Sequence, residues 1–508
     1  MFTEILSAGF PAFFGIQQLL FTGFGVLMGI IIGILPGLGP LLGLTLLTPL
    51  AMNMNPFTGM GLLIGIFVGG TAGGAISAIL LRIPGTPIAA ATLLDGYPLA
   101  SKGKAPFAVT LAISTSAIGG IIGGIYLIFL SPLLARVALK FSPPEYFALA
   151  LTGVVCIAVV SRESTIKGLM VGSLGLLLST IGMDPFMSNF RFTFGTIALA
   201  GGIGIVPMVI GLFAISEMLI QVEQGDFERS PHLKAFLPPL AGITENFKQL
   251  FNLFRSSSLG TFIGALPGAG SVIASFVSYA VAKNSSRYPE KFGTGIPDGV
   301  IATESANNAC CGGTLIPSLT LALPGDPCSA MLLAALMLLG YIPGPRLFVQ
   351  SQDLVGGIFL AYITSNIFLL FLGLAFLPLF VKVLNVKKKY LIPVILILCA
   401  VGSYGMETSI NDLWITLIFG ILAFGLRKFE YPLAPFVIAN VLGPIMEENF
   451  RRSLIMSGDD PAIFFTRPIS TSILAANFLL LAITLIPFRK IRRKRTLEKN
   501  ITEENITS

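Results

Sequence analysis

Charge is what this sequence lacks most. Only 11% of its 508 residues are Asp, Glu, Lys or Arg, and 54% are hydrophobic. A soluble domain carries about 25% charged residues, whereas mean hydropathy here is +0.86. A chain this apolar cannot cover a water-facing surface, which excludes most soluble enzymes, disordered proteins and nucleic-acid binders. Histidine and tryptophan each occur once. Neither G-x-S-x-G nor G-x-G-D is present, and the lone His232 sits in a polar connection. An intramembrane enzyme would therefore have no paired catalytic residues. G-x-x-x-x-G-K-[ST], the signature of an ATP-driven pump, is missing as well. The cysteines Cys156, Cys310, Cys311, Cys328 and Cys399 form no C-x-x-C and all lie in apolar segments. They read as small core residues rather than a disulfide framework or zinc site.

What is abundant is long apolar runs rich in Phe and Gly. A helical span needs about 20 apolar residues to cross roughly 30 Å of hydrocarbon. Candidate runs lie near 16–35, 59–81, 106–131, 145–161, 165–182, 196–220, 258–282, 300–323, 327–345, 354–383, 391–406, 412–426, 432–447 and 470–488. Several are too short or too broken to span. None alternates as the strands of a membrane barrel do. The pattern predicts an all-α polytopic membrane protein with about 10–12 transmembrane helices plus re-entrant hairpins.

The polar stretch 221–257 divides the chain nearly in half and reads as a surface connection, with an interfacial helix around Phe247–Phe254. The expected organisation is a first membrane repeat over 1–220, that connection, a second repeat over 258–488, and a basic tail over 489–508. The tail holds Arg489, Lys490, Arg492, Arg493, Lys494, Arg495 and Lys499. By the positive-inside rule it belongs in the cytoplasm, which places the chain in a cytoplasmic (inner) membrane.

The halves share markers in the same order. Gly33-Ile-Leu-Pro-Gly-Leu-Gly-Pro40 corresponds to Gly264-Ala-Leu-Pro-Gly-Ala-Gly-Ser271, and Ile83-Pro-Gly-Thr-Pro87 to Leu323-Pro-Gly-Asp-Pro327. Gly96-Tyr97 corresponds to Gly340-Tyr341. The second copy is longer by residues that fit the polar stretch Lys283–Pro297. Proline removes an N–H and clashes with the preceding turn. Glycine weakens a helix by about 1 kcal/mol relative to alanine. Two such breaks inside apolar runs predict broken helices or hairpin tips lining a cavity. Paired interruptions in two halves point to a transporter substrate site, where half-helix N-termini offer N–H groups to an anion. Gly37, Gly39, Pro40, Gly268, Gly270 and Ser271 are the candidates. The bland alternative is a pair of kinks that only shape packing.

A second polar cluster is Asp298-Gly-Val-Ile-Ala-Thr-Glu304-Ser-Ala-Asn307-Asn308. Glu304, Asn307 and Asn308 share one helix face. A carboxylate beside two amides supplies oxygens for a monovalent cation, while the amide N–H groups suit a carboxylate substrate. Glu304, Asp326 and Ser271 are the candidate cation ligands, and Asn307 and Asn308 join the substrate set. The alternative is a helix cap at the water interface. Arg82 either neutralises an anionic substrate or snorkels, and Asp95 reads as a turn at the membrane edge.

These motifs resemble the large membrane subunit of the tripartite tricarboxylate transporters (the TctA type). The resemblance rests on Gly33–Pro40, Gly69-Gly70 with Gly73-Gly74, Pro84-Gly85, and Asp95-Gly-Tyr-Pro98 followed by Lys102-Gly-Lys-Ala105. In the second half it rests on Leu266–Gly270, Glu304-Ser-Ala-Asn-Asn-Ala309 with Gly312-Gly313, and Leu323-Pro-Gly325. It implies a permease subunit rather than an enzyme, importing citrate-like or related carboxylates by symport with Na+ or H+. It also implies two partners, a small four-helix membrane subunit and a periplasmic or extracellular solute-binding protein. One departure is Asp326-Pro327, where an acidic residue would repel a polycarboxylate unless it binds a cation or a proton. A passive carboxylate channel is the alternative, and it would need no ion gradient. The two repeats are expected to be inverted, with one bundle moving against the other.

Overall fold

The computed structural model describes residues 2–35, 37–160, 165–187, 189–225, 233–266, 270–407 and 409–485. Gly268, Pro36, Pro267, Arg162, Glu163, His232 and the basic tail lie outside the described residues. Helices of seven residues or more follow in order. The first half contains α1 (Phe2–Phe13), α2 (Ile16–Ile34), α3 (Gly39–Met52), α4 (Pro56–Leu81), α5 (Leu93–Leu99), α6 (Ala105–Ala138), α7 (Pro143–Val160), α8 (Thr165–Leu178) and α9 (Ile205–Gln224). The connection carries α10 (Leu240–Lys248). Then come α11 (Leu250–Gly264), α12 (Gly270–Ser285), α13 (Pro297–Leu321), α14 (Pro327–Leu338), α15 (Gln352–Ala375), α16 (Leu377–Val383), α17 (Lys388–Glu407), α18 (Ile410–Lys428), α19 (Ala434–Ser457) and α20 (Pro468–Leu485). Strand content among the described residues is one two-residue antiparallel pair, Gly182–Met183 with Phe190–Arg191. The chain is an all-α polytopic membrane protein.

Among the described residues, six helical stretches are long and apolar enough to cross a membrane: α2, α4, α5 with α6, α9, α15 and α18. Packing decides how they are used. Gly25, Gly29 and Gly33 of α2 lie against the backbones of Leu62, Ile66 and Gly70 of α4. Partner numbers rise together, so α2 and α4 run parallel. The intervening α3, at 14 residues, is about 21 Å long and too short to cross. It must therefore return toward the face where α2 began. α2 and α3 form a re-entrant hairpin, and the glycine stripe lets its first arm seat directly on α4.

The second half repeats this register. Gly260 and Gly264 of α11 lie against Ala306 and Cys310 of α13. They match Gly29 and Gly33, and their partners match Ile66 and Gly70. The extra length of the second copy falls between Ser285 and Pro297, where the first copy has only the short turn between Met52 and Pro56. Left-handed caps recur too, at Arg82 (φ 58) closing α4 and Ala322 (φ 57) closing α13. α4 and α13 meet antiparallel: Thr71 approaches Cys311, and Met60 lies with Leu315 and Leu319. The repeats are thus inverted. Their hairpins enter from opposite faces and meet near the level of Thr71 and Cys311. Each half also lends a helix to the other. Gly119 and Gly123 of α6 seat on Ser305 and Ala309 of α13, while Gly357 of α15 packs against Phe57 of α4.

Three readings of the sequence change. Residues 196–204 do not begin a span; a short turn at Ile197–Leu199 precedes α9, and Gly201, Gly202 (φ +85) and Gly204 interrupt the helix. The preceding hairpin is fixed to α19 by charge. Arg191 pairs with Glu447 at 2.6 Å, and Arg451 with Asp184 at 2.8 Å. Backbone N–H groups of Met187 and Phe186, with Arg451, hold the Asp184 carboxyl down at about 2. Second, the 221–257 connection is not all surface. α11 starts at Leu250, the helix break falls at Gln249 inside the expected Phe247–Phe254 helix, and Asn246 is buried against Ser114 and Thr115. Third, Asp95 is helical, in the first turn of α5, rather than in a loop turn. It is buried and accepts hydrogen bonds from Tyr279 Oη (2.8 Å) and the N–H groups of Gly293 (2.9 Å), Gly295 (2.7 Å) and Ile296 (3.0 Å). Asp95 therefore clasps the second repeat's extra segment.

Candidate functional site

Four chain breaks converge on one cavity of about 640 Å³. Beyond α2, Gly37 (φ +88) and Gly39 (φ +67) turn the chain into α3. Gly270 (φ +64) opens α12 in the same way. These left-handed angles favour glycine for steric reasons. Gly85 is threaded between Gly33 and Gly74, where a β-carbon would strike the Gly33 carbonyl. Its carbonyl accepts the Gly37 N–H at 3.1 Å, tying the hairpin tip to the second break. Gly325 occupies the equivalent slot beside Gly264 and Thr314.

The cavity wall contains the first turns of α3 (Gly39, Pro40, Leu41, Leu42) and α12 (Gly270, Ser271, Val272, Ile273). Thr86 and Asp326 stand at equivalent places on the wall and cap the following turns. Their chemistry differs. Thr86 caps with a neutral hydroxyl. Asp326 closes a capping box, accepting the Ser329 N–H at 2.7 Å while its own N–H donates to Ser329 Oγ at 3.0 Å. The positive end of α14 is thereby satisfied by a carboxylate within the chain. The starts of α3 and α12 carry no such side chain. Ser271 Oγ is buried with no hydrogen-bond partner, a group that a ligand would satisfy.

Of the sequence candidates, Gly37, Gly39, Pro40, Gly270, Ser271 and Asp326 line this cavity. Glu304, Asn307 and Asn308 do not; they are buried along α13, on the side where that helix begins. Asn308 is used up in helix packing: Nδ2 donates to Ser116 O (3.0 Å) and Asn366 Oδ1 (2.8 Å). Glu304 accepts from Thr92 Oγ1 and from Ser116 Oγ (2.7 Å). Arg82 is off the cavity too, with its guanidinium 5.4 Å from the Tyr97 ring centroid. Cys328 lines the cavity; Cys310, Cys311, Cys328 and Cys399 are unpaired and buried.

The sequence gives little sign of the positive side chain on the cavity wall. Arg427, near the end of α18, lines the cavity and pairs with Glu217 of α9 at 2.7 Å. Glu217 also accepts from Gln221 Nε2 at 2.9 Å and faces Gly37 at the hairpin tip. In the sequence, Arg427-Lys428 looks like an ordinary end to an apolar run. The one signal was Glu217, an acidic residue within the apolar stretch 205–220.

The sequence profile described as "Tripartite tricarboxylate transporter TctA family" matches residues 19–438. The chain is 36% identical over 501 residues to an "uncharacterized 52.8 kDa protein in TAR-I ttuC' 3'region" of Agrobacterium vitis, covering 98% of this chain and 99% of that one. It is 38% identical over 236 residues to a second A. vitis protein, "uncharacterized protein in TAR-II ttuC' 3'region", covering 46% of this chain and 97% of that one.

Proposed function

Because the chain belongs to the tripartite tricarboxylate transporter TctA family, a family of transporters and not of enzymes, we propose that it imports a carboxylate by cation-coupled symport, binding the substrate between its two hairpin tips. As a membrane subunit of a tripartite transporter it works with a small membrane subunit and a solute-binding protein. The observation that carries the proposal is the meeting of two glycine-led helix starts, α3 and α12, on one cavity that also holds Arg427. A carboxylate at a helix N-terminus gains about 0.3–1 kcal/mol, rising to about 2 kcal/mol where partly buried. Two such termini from inverted repeats suit a substrate with more than one carboxylate, citrate being the first to test. Asp326 repels it less in this reading, because the capping box at the start of α14 offsets part of that carboxylate's charge.

Charge at the two membrane faces supports one orientation. The face where α4 begins has Arg136, Lys140, Arg191, Arg346, Arg451, Arg452 and Arg467 near it. The opposite face has more than twice as many Lys and Arg among described residues, including Lys102, Lys104, Lys283, Lys291, Lys382 and Lys389. α20 runs alongside α7, with Arg467 on Glu145 and Asn477 on Ala148, so it ends at this second face just before the basic tail. By the positive-inside rule the second face is cytoplasmic, in a bacterial inner membrane. Arg427 lies near that end of α18, so the cavity faces inward.

The test is labelled-citrate uptake into proteoliposomes holding this chain and its small membrane subunit, with the solute-binding protein outside. Uptake is expected only with the binding protein and an inward cation gradient. Uptake indifferent to any gradient would identify a channel and refute symport.

A further inference from the structure

Glu304 is a fully buried carboxylate with no ion pair among the described residues. Its hydrogen-bond partners are hydroxyls from two other segments of structure. Thr92, between the 3-10 turn Pro87–Ala90 and α5, donates to Oε1, and Ser116 of α6 donates to Oε2 at 2.7 Å. Thr303 of α13 holds its Oγ1 3.2 Å from Thr92 Oγ1, and it can donate to the Gly299 or Val300 carbonyl, each at 3.1 Å. Asn307, one turn on, directs its side-chain amide toward the same carboxylate, outside strict hydrogen-bond geometry. It is 1% exposed, and neither Oδ1 nor Nδ2 has a hydrogen-bond partner. Leaving a buried polar group unpaired costs about 1–3 kcal/mol, and a buried unpaired charge costs more. Four oxygen-bearing side chains around one carboxylate that lacks an ion pair make, with it, a ligand set for a hard cation.

We propose that Glu304, Thr92, Thr303, Ser116 and Asn307 form a sodium site separate from the substrate cavity, and that this sodium is the coupling ion. The proposal rests on the symport reading above for its role, though not for the binding itself. One short segment connects the two sites. Thr86 is on the cavity wall, and Thr92, six residues later, touches Glu304. Sodium draws Thr92 onto α13 and so fixes the Thr86–Ile88 wall against which the substrate sits. By linkage, sodium then raises carboxylate affinity and carboxylate raises sodium affinity by the same factor.

The experiment uses the full chain with its small membrane subunit in lipid nanodiscs, without any carboxylate. NaCl is titrated against KCl at constant ionic strength, reading the thermal unfolding midpoint and direct binding of radiolabelled sodium. The wild-type midpoint is expected to rise with sodium and not with potassium. Glu304→Gln and Asn307→Ala are expected to raise the half-saturating sodium concentration at least tenfold. Thr303→Val and Ser116→Ala, which each remove one hydroxyl, give the same direction should Glu304→Gln fail to fold. A sodium response unchanged in these variants overturns the proposal. So does one abolished by Asp326→Asn but kept in Glu304→Gln, which would put the ion at the hairpins. A response to pH that is identical in sodium and potassium would assign the site to a proton and also overturn it. Since no substrate is present, a failed uptake assay and a failed sodium assay are separate results.

Discussion

Glu217→Gln/Arg427→Gln is expected to fold, reach the membrane and fail to transport. Arg427 is the cationic side chain on the cavity wall, about a third exposed, and Glu217 neutralises it at 2.7 Å. A hydrogen bond to a charged group contributes about 1.5–3 kcal/mol, which corresponds to roughly a ten- to 150-fold loss of carboxylate affinity. Arg427→Gln alone confounds two effects, because it strands the Glu217 carboxylate against the hairpin tip. The double variant removes both charges together and isolates the substrate contact. Equilibrium binding of labelled substrate to purified protein reads it directly. Affinity within twofold of wild type would show that Arg427 is only a structural partner of Glu217.

Gly33→Val and Gly264→Val are expected to lose the folded protein almost entirely. The two glycines sit at equivalent points of the inverted repeats. At Gly33 a β-carbon would collide with the Gly70 carbonyl oxygen; at Gly264 it would lie 2.5 Å from the Cys310 carbonyl oxygen and 2.8 Å from Sγ. These obstacles are mainly backbone, so relief requires separating whole helices. Overpacking costs typically about 1–3 kcal/mol and more where nothing can yield. Separation would also displace Gly85 or Gly325 from their slots and open the hairpin tips. At about 3 kcal/mol the folding equilibrium changes by roughly a hundredfold, a large part of a typical stability. Gly425→Ala is the control, with nothing within 4 Å of the added carbon. Monodisperse yield on size-exclusion chromatography separates the outcomes. Wild-type yield from both valine variants would mean the helices do not pack in this register.

Much of this fold can be read from the sequence because its rules are local. Composition excludes water as the solvent, and Pro-Gly breaks inside apolar runs mark hairpins. The duplicated Leu-Pro-Gly-x-Gly motifs also locate the cavity, since Gly39 and Gly270 end up on the same wall. What stays hidden depends on pairing between distant segments. Length alone lets α2 cross the membrane, and only its parallel seat on α4 turns it into a hairpin arm. Glu304 and Asn308 share a helix face with no hint that this face packs on α6 and α15 rather than on the cavity. Asp95 looks like a turn residue because Tyr279 and the 293–296 backbone arrive from far along the chain. Arg427 is invisible for the same reason: its meaning comes from Glu217, on another helix.

Protection of paired cysteines tests whether both repeats contribute to one carboxylate site. Leu41 and Val272 are equivalent residues in the first turns of α3 and α12, and both line the cavity. Each is changed to cysteine in a background whose native cysteines are alanine. Alkylation rate by a small thiol reagent is then followed against substrate concentration. One carboxylate is expected to protect both positions with the same half-protection concentration. Protection of one position but not the other, by a carboxylate the protein demonstrably transports, would contradict it.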